Sequence, residues 1–139
     1  MHRWKVADPG SLTSPFSRLA KLRRVLRRGE IALSNGDLDT AERAGVRILD
    51  QLGTDSIDLA RLRPGELRAM IVGLELLACV RRELSDFVSC AELHQRALTA
   101  LDMVPAGADR DQLCLAALLR LGEALRLLGH FPEAEELLR

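Results

Sequence analysis

Three short stretches decide how this chain reads: Asn35-Gly36-Asp37-Leu38-Asp39-Thr40-Ala41, Leu84-Ser85-Asp86-Phe87-Val88-Ser89-Cys90 and Leu128-Gly129-His130-Phe131-Pro132-Glu133-Ala134. Each holds a small turn residue, a polar residue, a large apolar residue and, three positions later, a second small residue. Seven residues before each turn stands another small residue: Gly29, Ala78 and Gly122. A turn residue followed by a capping residue is how two helices are joined tightly. Small side chains on either side of the turn let the two helices approach closely. The apolar residue just past it packs against the second helix.

Helical periodicity fills the spaces between these turns. Ser14-Pro15 reads as a helix start. Phe16, Leu19, Leu22, Leu26, Gly29 and Leu33 then recur at three or four residues, widened by Val25 and Ala32. Asp37 caps a second helix, with Leu38, Ala41, Ala44, Ile48, Leu49 and Leu52 inward and Gly53 at its end. Ser56–Leu62 reads as a short helical turn. Pro64 opens a third helix to about Leu84, apolar nearly all round and so expected between neighbours. Ser85 or Asp86 caps the fourth, which buries Phe87, Cys90, Ala91, Leu93, His94, Ala97, Leu98 and Leu101. After the break at Pro105-Ala106-Gly107, Asp109 and Gln112 suggest a capping box for a fifth helix. Phe131–Arg139 is a short sixth.

Composition agrees. The 139 residues include 28 Leu and 17 Ala but no Tyr and one Trp, which favours helices and argues against an all-β fold. The expected fold is all-α, an antiparallel helix-hairpin array of about six helices. Residues 1–13 form an N-terminal arm and residues 14–139 one domain, the last hairpin cut short.

The repeated unit resembles the tetratricopeptide repeat family. The last unit fits best, with Leu121-Gly122, Leu125, Gly129-His130-Phe131-Pro132-Glu133-Ala134 and Leu138; the first, with Gly29, Ala32, Gly36-Asp37-Leu38, Ala41 and Ile48, is fair; the middle one is weaker. The turns are 49 and 44 residues apart, against about 34 in the family, so the likeness is to its long-helix variant. The resemblance implies an α-solenoid whose first helices line a concave groove. The groove positions would then be Arg23, Leu26, Glu30 and Leu33, then Val72, Glu75, Cys79 and Arg82, then Ala116, Leu119, Glu123 and Arg126. Arg, Glu and aliphatic residues together suit a protein or an extended peptide. Family members that hold a terminal carboxylate use Lys and Asn, where this chain carries Leu26 and Glu30.

Formal charge sums to zero, yet residues 1–28 carry eight basic residues and one acid, leaving the rest of the chain at −7. Arg23, Arg24, Arg27 and Arg28 make a basic patch on helix 18–28. That patch supports an alternative, a nucleic-acid-associated regulator, although no helix-turn-helix, zinc or aromatic-platform signature accompanies it. A protein partner is therefore expected over nucleic acid. No apolar run is long enough for a membrane span, and Met1–Gly10 is no signal peptide. With an odd count of three cysteines, a reduced cytoplasmic setting is expected. Eighteen of the 20 basic residues are Arg, which points to a GC-rich bacterial genome.

No catalytic motif is present: neither G-x-S-x-G, nor H-E-x-x-H, nor a phosphate or dinucleotide loop. The reading is a non-catalytic scaffold or regulatory segment without cofactor. Cys79, Cys90 and His94 could in principle approach one zinc ion, but Cys90 falls on the small position of the repeat, so core packing is expected and no metal. Cys114 reads as core. The chain stops at Leu137-Leu138-Arg139, mid-pattern, as a piece of a longer protein or an end covered by a partner would. A homodimer through the C-terminal hairpin follows as an expectation.

Overall fold

The structure, a computed structural model, describes residues 15–53, 61–130 and Glu136. The arm, the turn expected near Ser56 and the sixth helix lie outside the described residues, apart from Arg61, Leu62 and Glu136. Among the described residues there are five helices and no strand: α1 (Pro15–Ser34), α2 (Leu38–Leu52), α3 (Pro64–Glu83), α4 (Phe87–Leu101) and α5 (Ala108–Leu127). The chain is all-helical in class, and no helix is long and apolar enough to cross a membrane among these residues.

The three turns share one backbone solution. Gly36, Ser85 and Gly129 all adopt left-handed φ, at 79°, 61° and 84°. Behind each, the next amide donates five residues back: Asp37 N to Ala32 O at 2.8 Å, Asp86 N to Arg81 O at 2.8 Å and His130 N to Leu125 O at 2.8 Å. The turn residue's own amide donates three residues back, to Leu33, Arg82 and Arg126. This is the paired arrangement that satisfies the orphan carbonyls of a helix end. Two of the following helices are capped alike: Asp37 accepts from Thr40 N and Asp86 from Ser89 N, each at 3.2 Å. Each carboxyl is held below its ordinary 3.8 by these bonds, from the Thr40 side chain and amide at Asp37, and from the amide and then the side chain of Ser89 at Asp86. The capping box expected at Asp109 and Gln112 does not form. Gly107 stands at the N-cap with no side-chain bond, and Asp109 reaches across to Arg68 instead.

Consecutive helices pack against one another, and α1 also packs on α3. Residue pairs give the directions. Arg18 donates to Gln51 O at 2.7 Å and an added Cβ on Gly29 would meet Ala44, so α1 and α2 are antiparallel. Arg18 pairs with Glu66 at 3.2 Å and Gly29 faces Leu76, so α1 and α3 run parallel. Arg68–Asp109, Glu75–Arg120 and Arg82–Glu123, at 3.0, 3.1 and 3.9 Å, place α5 parallel to α3. Helices α1, α3 and α5 therefore point the same way, with α1 packed on α3.

The core is centred on α3. It buries Leu67, Met70, Ile71, Leu74, Leu76, Leu77 and Val80 against α1, α2 and α4, which is why it carries so little polar face. Gly29 shows why a small residue precedes the first turn: a Cβ there would stand 2.5 Å from Leu76 Cδ2 and 2.8 Å from Ala44 Cβ. In the second hairpin Ala78 and Cys90 pack with Ala124 of α5.

Candidate functional site

Between α1, α3 and α5 lies a hollow of about 370 Å³. Glu30 and Leu33 come from the end of α1. Val72, Glu75 and Cys79 come from α3, and Ala116 from α5. These six were expected from the repeat. Arg68, Leu76, Leu113 and Arg120 also line the wall and were not. Of the remaining expected positions, Leu26 is turned into the core. Arg23 is exposed on α1 outside the wall. Leu119 is half exposed, while Arg82, Glu123 and Arg126 pair with one another beyond the hollow. The hollow crosses the helices obliquely: it takes the end of α1, the length of α3 and the first half of α5. Repeat register alone assigns the same height to every helix, so it misses this slant.

Arg68, Glu75 and Arg82 stand at seven-residue intervals, on one side of α3. Each meets a partner of opposite charge on α5. Arg68, Glu75 and Arg120 of this ladder line the hollow and the third rung lies beyond it; the heptad spacing was a legible signal in the sequence. The middle rung is the most buried. Glu75 Oε1 accepts from Arg120 Nη1 at 3.1 Å, and Glu75 Oε2 accepts from Nδ1 of His94, which is itself 1% exposed. A buried carboxylate is tolerable only when paired and bonded in this way. The cluster ties α3, α4 and α5 to one point behind the wall.

The cysteines behave as packing residues. Burial is the main cause that pushes the Cys90 thiol up to about 11, and it also raises Cys79. Among the described residues no group of His, Cys, Asp and Glu could hold a metal ion. His94 faces Glu75, so Cys79, Cys90 and His94 do not form the ligand set considered from sequence. Cys114 packs partly buried against the main core. At the outer rung, Arg126 holds the Glu123 carboxyl below its usual range by a hydrogen bond.

No family model matches the chain, and no curated protein or solved structure matches it either.

Proposed function

We propose that the chain is a non-catalytic protein-interaction module of tetratricopeptide type, binding a protein or extended peptide in the hollow between α1, α3 and α5. The observation that carries this reading is the lining. Aliphatic walls from Leu33, Val72, Leu76, Leu113 and Ala116 sit beside carboxylates and guanidinium groups on one concave surface. Such a surface takes apolar side chains and orients them with a few polar groups. The like-directed first helices and the thrice-repeated turn support the long-helix solenoid. Its setting would be a scaffolding or regulatory segment of a larger system in the bacterial cytoplasm.

A photo-crosslinking side chain at Val72 or Ala116 tests this. Protein adducts are expected from both, and none from Val88, which is exposed on α4 outside the hollow. Adducts from Val88 alone would defeat the reading. The nucleic-acid alternative draws on Arg23, Arg24, Arg27 and Arg28, all exposed. Binding that weakens steeply with salt would mark it, whereas groove binding of apolar side chains would not.

A further inference from the structure

A second recess lies between α1 and α2. It measures about 160 Å³ and is lined by Val25, Arg28, Thr40, Arg43, Ala44 and Arg47. It belongs to a different side of α1 from the hollow, because Arg28 and Glu30 are two residues apart and cannot share a helix face. Its floor is apolar, with Val25 and Ala44 each 8% exposed. Its rim carries three guanidinium groups.

Close helix approach creates this rim. Gly29 and Ala44 meet between α1 and α2, and this brings Arg28 alongside the i, i+4 pair Arg43 and Arg47. Arg43 is ion-paired with Asp39 of its own helix. Arg28 and Arg47 have no carboxylate partner among the described residues. Thr40 is already engaged with the Asp37 cap. Arg43 is offset by Asp39 and feels the charge of Asp37 as well, so the recess owes its positive character to Arg28 and Arg47, over a floor of Val25 and Ala44 that has no polar group to compensate them. Like charges gathered over a low-dielectric floor repel one another and attract an anion strongly.

We propose that this recess is a binding site for a doubly charged phosphate, either free phosphate or the terminal phosphate of a monoester. Arg28 and Arg47 are two guanidinium groups without a carboxylate of their own, and they suit a monoester, which carries about −1.5 to −2 at neutral pH. Guanidinium forks present parallel donors to tetrahedral oxygens, which Lys cannot do. The recess has room for a phosphate and little more, so any organic portion would lie outside the rim. This inference does not rest on the peptide reading of the hollow.

The test is an NMR titration of the full chain with inorganic phosphate, following arginine Nε–H signals at constant ionic strength. Saturable shifts of Arg28, Arg43 and Arg47 are expected, with Arg96 and Arg68 unmoved. Arg28→Gln/Arg47→Gln should weaken binding about tenfold or more, with the helical circular-dichroism signal unchanged because both side chains are exposed. Arg96→Gln should leave binding intact. O-phosphoserine binding more tightly than phosphate would identify a monoester as the source, and equal affinity would identify free phosphate. Small, unsaturating shifts spread over all exposed arginines would overturn the site. Displacement of phosphate by duplex DNA, which offers only singly charged diesters along its length, would overturn the monoester assignment.

Discussion

His94 on α4 donates from Nδ1 to Oε2 of Glu75 on α3, and both side chains are buried. Arg120 of α5 occupies the other carboxylate oxygen from the solvent side. The two partners should therefore contribute unequally. Glu75→Ala strands the buried imidazole N–H and is expected to cost about 3 kcal/mol. Arg120→Ala leaves the Glu75–His94 bond in place and removes a half-exposed cation, for about 1 kcal/mol or less. Urea unfolding of the two variants checks the order; equal losses would mean that the rung acts as one unit.

Ser85 should be replaceable with profit. It is a non-glycine residue with φ at 61°, at the turn position where the other two turns use Gly36 and Gly129. Left-handed φ costs an L-residue roughly 1–2 kcal/mol, of which glycine returns part through greater freedom of the unfolded chain. Ser85→Gly is expected to stabilise by about 0.5–1 kcal/mol in thermal or urea unfolding. Gly36→Ala should shift stability the other way.

Acid stability should depend on the two capping carboxylates. Asp37 and Asp86 have folded-state pKa values below the ordinary 3.8, because the amides and hydroxyls at the following helix starts bond their charged forms. A lowered pKa adds stability above the unfolded value, and that increment disappears as pH falls through the folded value. Asp37→Asn/Asp86→Asn keeps a capping side chain at both sites. The double variant should match the parent near about pH 6 and lose less stability than the parent below about pH 4. Parallel pH profiles would count against the caps as the source.

Gly29 should not tolerate a side chain. A Cβ would stand 2.5 Å from Leu76 Cδ2 and 2.8 Å from Ala44 Cβ, and the latter has no rotamer to turn away by, so α2 itself would have to shift. Gly29→Val is expected to destabilise by about 2–3 kcal/mol through overpacking. Circular-dichroism melts check it. Gly107→Ala is the control, since nothing lies within 4 Å of a Cβ there.

Thiol chemistry should be slow. Burial raises Cys79 and takes Cys90 to about 11, so neither is a thiolate near neutral pH. Iodoacetamide at about pH 7.5 is expected to modify Cys90 only as fast as the chain unfolds, with urea accelerating it sharply. Rapid native-state modification of Cys90 would contradict its place between Ala78 and Ala124.

Local chemistry made much of this fold readable. The bounds of α1 to α4 follow from Pro15, Gly36, Asp37, Gly53, Pro64 and Asp86, because capping, left-handed turns and missing amides act within a few residues of themselves. The sandwiched position of α3 followed from its apolar circumference. Asp109 was misread as a cap for a physical reason: the same carboxylate serves an amide or a distant guanidinium equally well, and only the fold brings Arg68 within 3.0 Å. The sequence by itself thus determined the all-helical class, where the described helices turn, and six of the hollow's ten lining residues. Tertiary structure decided the slant of the hollow, the meeting of Glu75, His94 and Arg120 over separations of 19 and 45 residues, and the arginine rim that Gly29 allows between α1 and α2. These depend on how far and at what height whole helices pack, and no neighbouring residue along the chain encodes that.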